Sequence, residues 1–448
     1  MVSADNLNLD VLGLIFAHLT GKDLAAVALV SKPFLAGVIP RLYRTLSFRI
    51  HNAKRYPSVR TSFSTILDHP DLATHVRNID IRATPLLHSR VDPDFIRECT
   101  RALELCDNLR SFVYTPTAVT AILPLLPGRE RLRELRINAR FTTAQAATLA
   151  KIGRLEKLEL DRGSWEVIDV LPVWTAAIQH TLKTLTLFMS AELNFQVLET
   201  ALSHLPRLLE LHIIACPNID HLKVMKLVAH TPLLESLAFT VTETVQAPEP
   251  LLPPPSLSNL RHLALDARAG LTANPSSSAT LLSILTSINW SFPSLTSAAL
   301  KIPDVKAEAS HELILKLLTN HALTLQRLVF VDTIVEVRSI AEICERCRRL
   351  EVLSLPLPMK EILSFSDSLA LSPSLRTLID GDAHVTHGPR PYLNHENAQY
   401  IMLHARALTR IISDKRIWTG RRDDHGRVRV GLERQAAGPS AHWFMPPG

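Results

Sequence analysis

A six-residue hydrophobic pattern, leucine-x-x-leucine-x-leucine with apolar replacements, recurs along the chain. Its most regular copies begin at Leu182, Leu208, Leu234 and Leu260, so the pattern returns every 26 residues. The alternation within each copy predicts a short strand that buries one face. A repeat of about 20 to 30 residues is typical of arrays in which each unit packs only on its neighbours. The sequence therefore predicts a solenoid.

Twelve copies of the pattern occur in register, and the segments between them show helical spacing, as at Phe195, Leu198 and Leu202. Each unit is therefore predicted to be a strand, a turn and a helix. Two or three buried leucines, at about 1.5 to 3 kcal/mol each, do not outweigh the entropy lost by ordering a whole unit, so the units must stack. The copies begin at Val76, Leu109, Leu132, Leu155, Leu182, Leu208, Leu234, Leu260, Leu295, Leu325, Leu350 and Leu375.

This array resembles a leucine-rich-repeat horseshoe of the long, helix-bearing type. The resemblance implies the α/β class, with a parallel sheet on the concave face and mostly helices on the convex face. Two irregularities are expected: an extended proline-rich return between Pro248 and Pro255, and a flexible insert from Gly270 to Ser278.

The first 48 residues follow a different pattern. Val11, Leu12, Ile15 and Phe16 fall on one helical face, and three short helices are predicted before the first strand. A cluster of this size buries too little apolar surface to be stable alone, so we expect it to have a partner.

A set of apolar and polar positions recurs without a gap across these helices. They are Leu7, Asn8, Leu9, Asp10, Val11, Leu12, Ile15, Phe16, Leu19, Asp23, Leu24, Val27, Val30, Ser31, Lys32 and Phe34. In these residues the N-terminal segment resembles the F-box, and together with the repeats it resembles the F-box leucine-rich-repeat proteins, particularly the fungal ones. The family most often has proline where this chain has Asn8.

The resemblance implies that the helices dock on the Skp adaptor of a cullin-based ubiquitin ligase while the repeats hold a protein client. The chain would then be a substrate receptor without catalytic residues or cofactors. A protein-interaction scaffold that does not assemble a ligase is the alternative, which Asn8 keeps open. The expected adaptor contact and support positions are Leu7, Asn8, Leu9, Leu12, Ile15, Phe16 and Leu24.

Composition and sequence features indicate the cellular compartment in which the protein is expected. The 448 residues are 46% hydrophobic and 21% charged, as in folded proteins, and the five cysteines do not suggest a disulfide framework. No secretory segment is evident, and the longest uncharged run, Ala269 to Leu300, contains too many polar residues and prolines to span a membrane. We expect a cytoplasmic or nuclear protein.

The net charge of +6 comes from a late excess of arginine. Binding of nucleic acid is not favoured, because among these arginines only Trp418 offers the interleaved aromatic residue that a nucleic-acid groove needs.

Candidate metal or redox chemistry is sparse. Cys344 and Cys347 lack a second pair and are predicted to pack in the core. A loop after the last repeat holds possible metal ligands, which keeps an enzyme as a third alternative, but no metal site is predicted because loop side chains must converge to bind an ion. These side chains are Asp380, Asp382, His384, His387 and His395.

We call the surface formed by the residues that alternate with the inward leucines the concave face. Its middle row changes from charged, with Asp80, Arg136 and Glu159, to small and apolar from Ala238 onward. Small residues suit a curved parallel sheet; alternatively, the apolar half contacts a client or is covered by the C-terminal tail. The candidate client surface comprises Phe188, Ile214, Ala238, Ala264, Val329 and Val331.

The C-terminal end is predicted to close the array. A helix over 397–412 and a hairpin around Asp423 to Gly426 are expected to cap the last unit, with Trp418 against it. The predicted organisation is a helical cluster over 1–48, repeats over 49–380, a cap over 381–434 and a loose tail over 435–448.

Overall fold

The chain folds into two compact units, Met1–Leu193 and Asn194–Gly448. The computed structural model describes residues 8–19, 21–117, 120–241, 257–267, 278–288, 295–302, 309–381, 392–423, 425–435 and 442–446. The division into two units does not test the predicted domain limits, which stay predictions.

The N-terminal unit begins with helices α1 (Leu9–Phe16), α2 (Gly21–Ala28) and α3 (Lys32–Leu42), as the apolar spacing predicts. Asn8 caps α1, since its side chain accepts a hydrogen bond from the backbone N–H of Asp10 at 3.3 Å. The helices enclose a small core of their own, formed by Leu12, Phe16, Leu24 and Val38.

The remainder of this unit alternates strands with helices. The main strands pair in parallel and in chain order, and Leu86–Leu87 (β3) and Arg90–Val91 (β4) form a small separate hairpin. The parallel strands are β1 (Thr45–Phe48), β2 (Asn78–Ile81), β5 (Ser111–Tyr114), β6 (Glu134–Asn138), β7 (Lys157–Asp161) and β8 (Thr184–Phe188), and the helices are α4 (Ile50–Ala53), α5 (Ser62–Asp68), α6 (Pro93–Leu105), α7 (Thr143–Leu149) and α8 (Trp165–Ile178).

The C-terminal unit continues the same order of elements. Its strands pair in parallel up to β16, after which β17 and β18 are antiparallel. The strands are β9 (Glu210–Ile214), β10 (Ser236–Thr240), β11 (His262–Asp266), β12 (Ser297–Lys301), β13 (Arg327–Val331), β14 (Val352–Leu355), β15 (Thr377–Asp380), β16 (Arg410–Ser413), β17 (Arg416–Arg422) and β18 (Val428–Arg434). The helices are α9 (Phe195–Ser203), α10 (His221–Leu227), α11 (Ser278–Ser287), α12 (His311–His321), α13 (Val337–Arg346), α14 (Ile362–Ala370) and α15 (His395–His404).

Each of the twelve sequence patterns lies at a parallel strand, so the predicted α/β class is confirmed. The fourth positions align across neighbouring strands, as Leu135 with Leu158 and Leu158 with Leu185. These leucines are buried beside the helices, which is the face that the alternation assigns to the core. No helix in the described part of the chain is both long and apolar enough to cross a membrane.

The predicted helix over 397–412 is wrong in its second half. Helix α15 ends at His404, and β16 then pairs with β15, placing Ile411 opposite Leu378. The segment Leu408-x-x-Ile411 is a further copy of the repeat pattern, whose spacing of three also fits a helix. The predicted proline-rich return, and the insert from Gly270 up to α11, lie outside the described residues.

The predicted hairpin is confirmed as β17 and β18, and Trp418 is buried opposite Ile411 of β16. Arg422 fixes the hairpin to α15, because its guanidinium donates hydrogen bonds to the carbonyls of Ala405 at 3.2 Å and Arg406 at 3.1 Å. These carbonyls follow the helix end, where backbone acceptors lack intrahelical partners and a cation is favourable.

The structure predicts that the cost of leucine truncation depends on the face involved. Leu353→Ala, which removes a fully buried side chain of β14, should lower the free energy of unfolding by about 2 to 5 kcal/mol. The same change at Leu363 on α14, which is 60% exposed, should lower it by no more than about 0.5 kcal/mol. Urea denaturation followed by circular dichroism measures both, and equal losses would contradict the assignment of the buried face.

Candidate functional site

The N-terminal helices expose apolar side chains although they have a core of their own. On α1, Val11, Leu14 and Ile15 follow helical spacing and face solvent, with Leu14 71% and Ile15 49% exposed. We call these three residues the α1 stripe. Leu29 and Val30, which follow α2, and Leu35 of α3 are exposed as well. Contiguous exposed apolar surface is typical of a docking site.

The structure separates the predicted adaptor positions into different roles. Leu12, Phe16 and Leu24 are buried in the core of the cluster, so they support its helices and present no contact surface. Ile15 is exposed and Asn8 occupies the helix cap. Leu7 and the side chain of Leu9 lie outside the described residues. The helical periodicity of the sequence places Leu12, Ile15 and Phe16 on one face of α1, whereas in the structure only Ile15 of these three is exposed.

On the N-terminal unit, the concave face carries paired charges. Arg136 lies 3.1 Å from the Asp161 carboxylate and 3.5 Å from that of Glu159, and Lys157 lies 2.9 Å from Glu159. Both carboxylates are nearly buried, and buried charges of this kind require partners. The two cations balance the two anions, so this row offers little net charge to a ligand.

Asp80, the first residue of the predicted row, is paired in the same way, with Arg49 at 3.3 Å and with Arg82. Phe188, a predicted client contact at the end of β8, is half-buried.

On the C-terminal unit, the predicted client surface is covered. Ile214, Ala238 and Ala264 are fully buried, Val329 is almost fully buried and Val331 is half-buried. These side chains do not form an open apolar surface. Their role as client contacts stays a prediction.

The chain's own C-terminal end lies against this face. We call residues 442–446 the tail segment. Its Phe444 is fully buried, and the main-chain carbonyl of Phe444 lies 2.9 Å from Nε2 of His262 on β11. The Phe444 ring also lies 5.7 Å from the His212 ring on β9. The prediction of a loose tail is therefore wrong for residues 442–446, because the buried Phe444 side chain holds them against the strands.

One further contact orders the tail segment internally, and another holds it to β12. The ring of His442 stacks on that of Phe444, with centroids 4.7 Å apart. The Lys301 ammonium of β12 lies 5.6 Å from the Trp443 ring centroid, within the range of a cation–π interaction. Lys301 also pairs with Asp332 at 3.1 Å, which fixes the position of its charge.

The tail segment contacts His212, His262 and Lys301. We call the surface formed by these three residues and Ser236, the partner of His212, the tail site. Nε2 of His212 lies 3.0 Å from the Ser236 hydroxyl, which orients the imidazole. Ser236 and Ala238 lie on β10, between the two histidine-bearing strands β9 and β11. Small side chains here leave room for the Phe444 ring.

His262 is neutral at physiological pH. Its pKa is lowered to about 4, chiefly by burial; the hydrogen bond to the Phe444 carbonyl opposes the shift, and the nearby Arg327 charge adds to it. A neutral imidazole has one N–H, so the contact with the carbonyl requires that N–H at Nε2. His262 therefore donates to the tail segment as a neutral hydrogen-bond donor.

Coverage of this face by the C-terminal tail was one of the predicted alternatives, but His262, Lys301 and the aromatic residues of the tail segment were not predicted as its contacts. The available signal was the consecutive run of Trp443, Phe444 and Met445, three large apolar residues after a polar stretch. Such a run in a terminal segment indicates a site of burial.

The other candidate chemistry does not come together. Asp380 accepts hydrogen bonds from the Ser413 hydroxyl at 2.7 Å and from the backbone N–H of Leu357 at 3.3 Å, so it ties β15 to its neighbours. His395 lies at the start of α15, 6.3 Å from the Trp418 ring. Asp382, His384 and His387 lie outside the described residues. Where the structure describes the chain, no three potential ligands converge on a metal position.

Cys344 and Cys347 are free and fully buried, as predicted for core residues. Burial raises the pKa of each thiol to about 12. Both are therefore thiols at neutral pH, and the nucleophilic or metal-binding thiolate is not formed.

Comparisons with known proteins do not assign the chain to a family. No family model matches the chain, and no curated protein matches it. Among solved structures it is similar to the crystal structure of the Rad7 and Elc1 complex in yeast, with 16% identity over 86% of this chain and 92% of that one and a TM-score of 0.45. It is also similar to the leucine-rich-repeat protein LIC12759 of Leptospira interrogans, with 15% identity, coverage of 68% and 85%, and a TM-score of 0.28.

The burial of His262 predicts a pH dependence of stability. Between its folded pKa of about 4 and its ordinary value of 6.5, the unfolded chain binds a proton at this residue and the folded chain does not. The stabilisation is therefore complete above about pH 6.5 and is lost as the pH falls toward 4. Urea denaturation at pH 7 and pH 5 should show this decline.

The variant His262→Gln retains a donor for the Phe444 carbonyl but has no titrating group, so its decline should be smaller. It should not vanish, because burial also lowers the pKa of His321 to about 4. The same substitution at the exposed His425 is the control. An unchanged decline in the His262 variant would show that this imidazole is accessible to protons in the folded chain.

Proposed function

We propose that this chain is the non-catalytic substrate-recognition subunit of a cullin-type ubiquitin ligase. In this proposal the N-terminal helices are an F-box that binds a Skp-type adaptor, and the repeats bind a protein client. The observation that carries the proposal is the α1 stripe, an exposed apolar surface on the helices whose sequence resembles the F-box. The work of such a protein is done in the cytoplasm or nucleus.

The interior of the helical cluster supports this interpretation. Because Leu12 and Phe16 are buried in its core, the exposure of Leu14 and Ile15 is not the result of a missing partner helix. Arg41 of α3 further fixes the end of α1, donating to the Ala17 carbonyl at 2.9 Å. The stripe is thus held on an ordered helix, and docking it would not require unfolding.

Asn8 is compatible with this role. Its φ of −58° lies in the range that the proline of the related motif would fix. The Asn8 side chain also caps the helix that carries the stripe. The departure from the family pattern therefore leaves the backbone of α1 in the form that proline favours.

The function needs no reactive residue in this chain. A receptor that holds a client beside a ubiquitin-charged enzyme raises the local concentration of the client's lysines, which accelerates transfer by proximity. The repeats suit this role because each strand and helix is fixed by its neighbours.

Binding to a purified Skp-type adaptor tests the proposal. The native chain should bind, and Leu14→Ala/Ile15→Ala should weaken binding by about tenfold or more, since buried apolar anchors dominate such interfaces. Surface plasmon resonance measures the affinity. Leu363→Ala/Leu371→Ala, which truncates two other exposed apolar side chains, is the matched control and should bind as the native chain does.

Circular dichroism separates docking from folding. The stripe variant should keep the native spectrum, whereas Leu12→Ala, which removes a core side chain, should lose both adaptor binding and stability of the cluster. A native chain that does not bind the adaptor would refute the ligase assignment and leave the alternative, a repeat scaffold for other protein partners.

A further inference from the structure

The tail segment is placed on the concave face as a bound peptide would be. Phe444 is fully buried and Met445 is almost so, while Trp443 and His442 are half-buried. Burial of apolar area is the main favourable term in such contacts, and Phe444 has the most completely buried side chain of the segment, so it is the anchor.

The contacts at the tail site are of a kind that a second polypeptide can also make. His262 donates to a main-chain carbonyl, which every residue has. His212 and the small residues beside it receive an aromatic ring, and Lys301 receives the face of another. Specificity would therefore come from two successive aromatic side chains, with the hydrogen bond to His262 setting their position.

The tail segment also lies where client binding is expected. His212 aligns with Ala238, and Ala238 aligns with Ala264, across the three strands β9, β10 and β11. Phe444 contacts histidines on the outer two strands, so it lies over β10. Ala238 and Ala264, two of the residues predicted to contact a client, are thus buried in the form that contains the tail segment.

We propose that the tail site is a peptide-binding site for segments with two adjacent aromatic residues, and that residues 442–446 occupy it in cis and compete with the client. This inference rests on the proposed function only in taking the competitor to be a client. A tethered segment has an effective concentration of the order of millimolar, so a free peptide of the same sequence binds the native chain weakly.

A fluorescent peptide comprising residues 440–448 tests the site directly. Full-length Phe444→Ala should take up the peptide, because its own segment has lost its anchor, and fluorescence anisotropy should report an affinity at least about tenfold higher than for the native chain. A peptide with alanine substituted for Phe444 should not bind. Full-length Leu432→Ala, an exposed position on β18, should behave as the native chain does.

The histidine contact supplies a second criterion. Adding His262→Ala to the Phe444→Ala chain should abolish uptake of the peptide, whereas adding His425→Ala should not. Circular dichroism establishes that each variant is folded. If Phe444→Ala does not fold, a chain ending at residue 441 takes its place in the same measurement.

Equal uptake by the native and Phe444→Ala chains would overturn the competition, and no uptake by any folded variant would overturn the site. The assay contains no adaptor, so its outcome is independent of whether the α1 stripe binds one. Adaptor binding without peptide uptake would refute this inference alone, and peptide uptake without adaptor binding would refute the ligase assignment alone.

Discussion

The fold depends on the inability of a single repeat to bury its own leucines. One strand and one helix order about two dozen residues, and the two or three apolar side chains that point inward do not compensate that loss of entropy. Adjacent units supply the missing contacts, as when Leu135, Leu158 and Leu185 align across three strands and all become buried. The same stacking pairs the backbone groups of each strand, so packing and hydrogen bonding favour one register.

A stacked array also has to end. On the C-terminal unit, β16 would present an unpaired edge and an apolar face if the chain stopped there. The change of direction to the antiparallel pair β17 and β18 covers both, because Trp418 is buried opposite Ile411. Arg422 then attaches the hairpin to the end of α15. The late excess of arginine thus has in part a structural role, which is a different use of charge from the recognition of a polyanion.

The repeat strands were predictable because their signal is local. Each pattern fixes three apolar positions within six residues, and period-two alternation then assigns the buried face. The same rule was ambiguous at Leu408 and Ile411, where a spacing of three fits both a helix and the repeat. The rule also could not predict which apolar residues of α1 are buried and which are exposed. Leu12, Ile15 and Phe16 have the spacing of one apolar helical face. Helix α3 approaches α1 closely at Gly37, where an added Cβ would lie 3.0 Å from the Phe16 ring and 3.3 Å from Leu12. That tertiary contact buries two of the three and leaves Ile15 exposed.

The contact of the tail segment with His262 could not be predicted from local sequence patterns either. His262 and Phe444 are 182 residues apart, and no periodicity relates them. Their contact alters what the apolar half of the concave face can do. An open apolar row would bind partners in proportion to exposed area, with little selectivity. A row covered in cis lowers the apparent affinity of every competitor by the same factor, set by the effective concentration of the segment and its intrinsic affinity. The apparent dissociation constant of a weakly binding apolar partner then exceeds the partner's concentration, so that partner does not bind. A partner that reproduces the aromatic and carbonyl contacts still binds. Covering the surface therefore leaves the ratio of affinities between two partners unchanged, but it raises the intrinsic affinity that any partner needs in order to bind at a given concentration.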